Sequence, residues 1–501
     1  MDNTAPYNTY LIPTNGRLIR NIIHGMDTVM SHITHFYHLS APDFINFSTG
    51  LVNMSPWTPS YTTSDLIAGS SVLGQALIVN YVTALKMRRL AHTASALFSG
   101  RHPIQNAIIP GGVSTLTSTT YPNPYQVGTD YDAWGPFNLT ETKTKFTNIL
   151  NQIRDFIDNT YIPNVVTVAT STTPNFVSFW TQGFGCGNFL SYGDFPMNAT
   201  GNVLLIKRGI ATSASTSVGA FDQANIVEHV GNSWYDYPAL DAVLKTNGRH
   251  PFDGVTVPNM KSSADAQYSW LKAPRYGTAA QVLEVGPLAR MFVSYLSSDT
   301  GQTVTNTFMT NFGISGGSPY SVRTLINAVM GGTGGGLNRP VSDLISTLGR
   351  HAARALEAKL LADACAVWNG ALVDNGQAFT YKKISKMIST GVGLCEAPRG
   401  ALGHWIKIEG RKVAKYQCVV PSTWNFSPKD NNGTSGPVEQ SLVGSYIGTT
   451  DEEKVLNILR LVHPFDCCIA CAVHVVGPDG KEKLKFAIGP DGRPANIEKV
   501  E

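Results

Sequence analysis

Apolar residues recur at three- and four-residue spacing in several long stretches, the signature of amphipathic helices. In 16–39 they are Leu18, Ile19, Ile22, Ile23, Met26, Val29, Met30 and Ile33. In 64–98 they are Leu66, Val72, Leu73, Leu77, Val79, Val82 and Leu85, and in 141–158 Phe146, Ile149, Leu150, Ile153, Phe156 and Ile157. A fourth helix is predicted from Pro340 to Trp368 on Leu344, Leu348, Ala352, Leu356, Leu360 and Leu361, with Glu357 and Lys359 on its polar face. Residues 404–421 alternate instead, with Trp405, Ile406 and Ile408 before Glu409-Gly410 and Val413, Tyr416, Val419 and Val420 after it. That pattern predicts a β-hairpin. A short apolar run at 203–206 predicts one more strand. The expected fold class is mainly α with small β elements (α+β), with no internal repeat.

Breakers punctuate these elements. Gly100-Arg101-His102-Pro103 through Pro110-Gly111-Gly112 is too rich in Gly and Pro to be helical. The glycine run at 331–336 follows a helical pattern and lacks a closing Gly-Lys-Ser/Thr, so it reads as a connector rather than a phosphate loop. In the tail, Gly-Pro-Asp-Gly occurs at 477–480 and 489–492, flanking 481–488, which reads as a hairpin.

Hydrophobic residues make up 43% of the 501 and charged residues only 15%, so a large core is affordable while surface charge is sparse. Sparse charge suits a subunit that buries surface against partners. A net charge of +3, with no basic run longer than Lys86–Arg89, argues against nucleic acid. The first residues lack the basic-then-apolar pattern of a secretory leader, and no run of about 18 apolar residues occurs. Export, if it happens, rides on another chain.

The chemistry concentrates near the end, in His463-Pro464-Phe465-Asp466-Cys467-Cys468-Ile469-Ala470-Cys471-Ala472-Val473-His474. Three of the seven cysteines fall there, and Cys186, Cys365, Cys395 and Cys418 are scattered singly. Thiolates are soft ligands, so Cys468-x-x-Cys471 reads as a chelate for nickel, zinc, copper or iron. A buried or disulfide-forming pair, or half of a zinc site, fits the same spacing. His32 with His35, and His35 with His38, share a helical face, where hydrogen bonding at a cleft competes with a metal role.

Several segments, in order, resemble the large (catalytic) subunit of [NiFe]-hydrogenases. They are His35-Phe36-Tyr37-His38-Leu39, Gly100-Arg101-His102-Pro103 with Pro110-Gly111-Gly112-Val113, and Asn188-Phe189-Leu190-Ser191-Tyr192-Gly193. Tyr268-Ser269-Trp270-Leu271-Lys272, Glu284-Val285-Gly286-Pro287-Leu288-Ala289-Arg290 and Glu396-Ala397-Pro398-Arg399-Gly400 follow, then Val420-Pro421-Ser422-Thr423-Trp424-Asn425 and the terminal cysteine motif. The resemblance implies a hydrogenase with a long helical bundle core, oxidising H2 reversibly and passing electrons to an iron–sulfur small subunit. It implies a nickel–iron centre with carbonyl and cyanide on the iron, and no iron–sulfur cluster in this chain. Carried over residue by residue, Cys468 resembles the terminal nickel thiolate and first proton acceptor, and Cys471 the bridging thiolate. Arg399 resembles the arginine over the open coordination site, and Asp466 the acid that fixes it. Pro398, Pro421 and Ser422 resemble residues around the diatomic ligands. His474 and the carbonyl of Cys418 resemble ligands of a separate magnesium (or iron) site.

The resemblance also sets expectations about organisation. Family precursors are cut after the motif's histidine, which predicts a domain at 1–474, a removable extension at 475–501 and a maturation endopeptidase as partner. The family's other Cys-x-x-Cys, in Arg-x-Cys-Gly-x-Cys, has no counterpart in 1–501, so the expectation is a split large subunit with a small companion chain supplying it. Membrane association through partners, such as a cytochrome or quinone-reducing subunit, on the periplasmic face is expected, with a cytoplasmic location as the alternative. Cys467 stands where proline is usual, and Ser31 where many members have aspartate. Two other readings remain open on the residues alone: an inactive relative serving as a structural subunit of a respiratory complex, and a simple zinc protein using Cys467, Cys468, Cys471 and His474.

Overall fold

A computed structural model describes residues 12–46, 65–115, 117, 139–236, 247–253, 257–258, 267–297, 304–305, 319–331, 336–380, 388–468, 485–488 and 494–498. The first apolar stretch forms a helix at Thr14–Thr34 whose continuation, His35–Ser40, widens into a π-helix. The second helix, Val72–Ser99, starts later than the periodicity suggests. Ser71 caps it by accepting a hydrogen bond from the Gly74 N–H at 3.0 Å. Ile67–Ala68 just ahead pairs in parallel with Ile45–Asn46 instead of joining the helix. Gly100, at φ 78°, ends it. The third helix is Leu139–Phe156, followed by a second π-helical turn at Ile157–Tyr161.

The stretch from Pro340 divides into a 3-10 turn, Val341–Leu344, and the central helix Thr347–Gly370, capped by Ser346. The expected polar face is corrected here. Every residue from 344 to 365 is buried, and Glu357 and Lys359 are both 0% exposed. A helix covered on all sides keeps most of its charges by pairing them. Lys359 Nζ lies 2.7 Å from Asp158 and 3.0 Å from Asp363, and Arg154 also pairs with Asp363. Arg350 clamps Glu284 with two bonds of 2.8 Å. Apolar residues from the first, second and third helices pack around the same axis in one large core.

The strand expected at 203–206 runs Leu204–Thr212, antiparallel to Asn188–Pro196. The hairpin expected at 404–421 is present as Gly400–Glu409 and Lys412–Val419. A strand ahead of it, Ser389–Ala397, is the first of a three-stranded sheet, with Gly391 and Gly393 diluting its β signal. Pro398-Arg399 is the two-residue loop between the first two strands, since Ala397 pairs with Gly400. In the tail, Lys485–Ile488 pairs antiparallel with Pro494–Glu498, in keeping with the expected hairpin. Residues 332–335 of the glycine run and 475–484 lie outside the described residues. Among the described residues no helix is long and apolar enough to cross a membrane.

One guanidinium ties these parts together. Arg290, on the helix Pro287–Leu296, is 1% exposed. It grips Glu357 of the central helix at 2.6 and 2.7 Å and Glu396 of the sheet at 3.0 Å. The same side chain donates to the carbonyls of Ala397 and Pro398, each at 2.9 Å. Glu357 also accepts from His32 of the first helix at 2.9 Å. Burial alone would raise the Glu357 carboxyl, but the Arg290 charge and these bonds hold it down at about 2. Glu396 is pushed up to about 7 by burial despite sharing Arg290.

The loop over this anchor requires glycine. Gly286 (φ 118°) and Gly400 (φ 136°) pass so closely that a Cβ on Gly400 would stand 2.7 Å from the Gly286 nitrogen. We expect Gly400→Ala to cost about 1–3 kcal/mol, read as a lower melting temperature of the purified complex. An unchanged melting temperature would contradict this close approach.

His32 gives a pH signature. Burial depresses its imidazole to about 4, from an ordinary 6.5. Between these values the unfolded chain binds the proton and the folded chain does not, so stability falls as pH drops from 6.5 to about 4. The loss attributable to His32 reaches about 3 kcal/mol at most. The melting temperature of His32→Gln should show a shallower slope in that window, and equal slopes would refute the assignment.

Candidate metal centre

The three-stranded sheet brings two sequence-distant segments to one end. The first and second strands turn there at Pro398-Arg399, and the third ends there at Val419 and enters the short helix Pro421–Asn425. The terminal segment docks on this end. Arg399 Nε lies 3.1 Å from Asp466 Oδ1, and the Cys468 N–H donates to Ser422 Oγ at 3.1 Å. Arg399, Asp466, Ser422, Pro398, Pro421 and Cys468, all proposed from the sequence, thus meet in space.

The approach of the terminal segment is fixed residue by residue. The helix Asp451–Val462 is opened by a capping box of Thr450 and Glu453 and leads into a single turn, His463–Phe465. His463 pairs with Asp43 through Nδ1 at 2.5 Å. Its carbonyl accepts from His35 Nε2 at 2.8 Å, and the Pro464 carbonyl accepts from Arg354 at 3.0 Å. The Arg350 guanidinium lies 3.9 Å from the centre of the Phe465 ring. Asp466 then adopts the left-handed conformation (φ 59°, ψ 67°), which reverses the chain toward the cysteines.

The electrostatics are unusual at Asp466. It is 2% exposed, and both its carboxylate oxygens are buried without a hydrogen bond. Arg399 Nε is close enough for an ion pair, yet it is misdirected for a hydrogen bond and is itself unsatisfied. The Arg399 side chain is a third exposed, so it faces open space on one side. His35 and His351 are kept well below the ordinary imidazole range by burial, and stay neutral.

Other sequence candidates are not gathered here. His32, His35 and His38 bond to Glu357, the His463 carbonyl and the Tyr81 carbonyl respectively. The switch to π-helix at His35 changes the angular step between them, and each serves a different contact rather than a shared metal. Cys186, Cys365 and Cys395 are free thiols on separate elements, and burial raises all three, Cys186 and Cys395 to about 12. Protonated thiols at such values are poor ligands. Cys418 is exposed on the last strand, four residues before Ser422. Cys467 and Cys468 are half-buried, whereas Cys471 and His474 lie outside the described residues. Among the described residues no group of three or more His, Cys, Asp and Glu could hold a metal ion. Ser31 is buried on the first helix.

Sequence reasoning missed Arg290, Glu357 and Arg354. Arg290 was inside a quoted motif, but only the fold shows that it reaches the Pro398 carbonyl. A metal group fits the chemistry present: half-buried Cys468 is held by Ser422, and beside it stand a carboxylate and a guanidinium with unused bonding capacity.

A sequence model of the family "Nickel-dependent hydrogenase" matches residues 6–56 and 49–474. The chain is 32% identical to the uptake hydrogenase large subunit of Bradyrhizobium diazoefficiens, over 95% of this chain and 84% of that protein. It is 29% identical to the periplasmic [NiFeSe] hydrogenase large subunit of Desulfomicrobium baculatum, over 94% and 81%. Among solved structures, the reduced Ni-Fe-Se hydrogenase of Desulfovibrio vulgaris Hildenborough superposes with a TM-score of 0.73 at 29% identity, covering 93% of this chain and 83% of that one. With the site's geometry and a family match that runs through the cysteine motif, the chain belongs to the nickel-dependent hydrogenases, as the large, catalytic subunit that works with a small subunit.

Proposed function

We propose that Cys468, Cys471, Arg399 and Asp466 form the part of a nickel–iron site that this chain contributes to the oxidation of H2 to two protons and two electrons. The observation that supports it most is the meeting of Arg399, Asp466, Ser422 and Cys468, from three separate segments, at one end of one sheet. When bound, the nickel–iron group, with carbonyl and cyanide on its iron, supplies Lewis acidity and the two-electron redox change. Cys468 and Cys471 would hold it through their thiolates, and the Cys468 sulfur would take the first proton. Arg399, its side chain a third exposed, would polarise H2 on the open side. Asp466 holds Arg399 in place. Pro398 and Pro421 shape the face that receives the diatomic ligands. Ser422 Oγ accepts from the Cys468 amide, so its own O–H is free to donate to a cyanide nitrogen. His474 and the Cys418 carbonyl are assigned to the separate magnesium or iron site.

The electrons leave through the iron–sulfur small subunit, and an endopeptidase removes 475–501 after the metal is in place. Residues 1–501 hold one Cys-x-x-Cys pair; the two further thiolates come from outside these residues. The complex is membrane-associated through its partners, on the outer face, and delivers electrons to a cytochrome or quinone-reducing subunit.

The purified complex should contain nickel and show infrared bands of carbonyl and cyanide, and peptide mapping should find a second Cys-x-x-Cys on a segment outside 1–501. Zinc alone would overturn the reading. Cys468→Ser should lose nickel and activity together. Arg399→Lys should keep the metal and the bands while turnover drops on the order of 10²-fold. An Arg399→Lys enzyme with full turnover would remove Arg399 from the mechanism.

A further inference from the structure

The central helix presents Arg350, Arg354 and Glu357 at three- and four-residue spacing, on the side facing the site. Two of the three have ion-pair partners, Arg350 with Glu284 and Glu357 with Arg290. Arg354 does not. It is 1% exposed and gives one bond, Nη2 to the Pro464 carbonyl at 3.0 Å. Its Nε and Nη1 are buried without a hydrogen bond.

Two residues further along the chain from that carbonyl sits the other unsatisfied charge, Asp466, with both oxygens buried and unbonded. Asp466 is the strongest attractive charge on the Arg354 guanidinium, and both lie in the field of Tyr161. The two make no direct ion pair among the described residues, but a buried cation attracts a buried anion more strongly than water would allow. Arg399 approaches the same carboxylate from the open side, at 3.1 Å and with Nε poorly directed.

We propose that Arg354 is a positioning residue for the hydrogenase reaction. It holds Asp466 from the protein side, opposite Arg399, and latches the turn that delivers Cys468. Asp466 is attracted by two guanidinium groups, Arg399 at ion-pair distance and Arg354 in the core. The buried one sets where the carboxylate rests, and so how far Arg399 can reach over the site. Arg354 itself touches no reacting atom. Tyr161, Glu357, Arg290 and the neutral His351 also act on its charge, and Arg290 is committed to Glu357 and Glu396. The inference rests on the nickel–iron reading above.

The test is a double-mutant cycle in the full complex, using Arg354→Lys and Asp466→Asn. Lysine keeps the buried charge and leaves the fold the best chance of assembling, and asparagine keeps the left-handed turn. The wild-type complex is examined first for nickel and for the carbonyl and cyanide bands, because their absence would sink the nickel–iron reading independently. Given those bands, Arg354→Lys should retain nickel, shift the cyanide bands, and lower turnover tenfold or more with KM for H2 changed less than twofold. In the Asp466→Asn background the same replacement should lower turnover less than twofold further and move the bands no further. Multiplicative losses of turnover, or cyanide bands unmoved in Arg354→Lys, would overturn the proposal and leave Arg354 a packing residue. Should Arg354→Lys fail to assemble, Arg354→Gln read by the same bands decides between the same outcomes, and unmoved bands there would overturn it equally.

Discussion

The interaction on which the rest depends is the Arg290 guanidinium, buried at the junction of four segments. Each of its nitrogens is used: two on Glu357, one shared between Glu396 and the Ala397 carbonyl, one also reaching the Pro398 carbonyl. Such a group cannot be moved without stranding two carboxylates in the core, and breaking a buried pair costs about 3–5 kcal/mol. The hairpin tip that carries Arg399 is therefore set by a contact on its inner side, leaving its outer side available for chemistry. The backbone beside Arg399 is held through the Pro398 carbonyl, while a third of the Arg399 side chain remains exposed.

Rigidity spreads from that point in a definite order. The Arg290–Glu357 pair fixes the sheet end to the central helix, and His32 brings the first helix to the same carboxylate. Two turns earlier on the central helix, Arg350 grips Glu284 and packs on Phe465, so the terminal segment is registered against the same frame. Ser422, reached through the last strand, then receives the Cys468 amide. Glu284, Arg290, Glu396 and Arg399 lie in the motifs that carried the family resemblance, and their proximity explains why those motifs read as chemistry when each is partly scaffold.

Much of this was legible in the sequence, and the limits are physical. The helices followed from 3.6-residue periodicity, and the hairpin at 404–421 from alternation around Glu409-Gly410. The helix start at Val72 was missed because Leu66 continues the apolar pattern while Ser71, a capping residue, ends it locally. The polar face of the central helix was misplaced because periodicity reports charge without saying whether water or Arg290 answers it. The site's side chains were named from motifs, whereas Arg354 stayed invisible because nothing local distinguishes a buried arginine in an alanine-rich helix from a solvated one. Cys471 and His474 lie outside the described residues, so their roles rest on the motif.

The left-handed backbone at Asp466 carries a consequence for how such a site can vary over time. Few side chains are comfortable at φ 59°, chiefly glycine, asparagine and aspartate. A single replacement that spares the chain reversal must therefore either conserve the carboxylate or discard its charge outright, with almost nothing between. A lineage drifting at this position would meet an all-or-none change in the electrostatics around Arg399 rather than a graded one. The geometry of the turn thus acts as a filter on evolution, restricting which catalytic variants are reachable in one step.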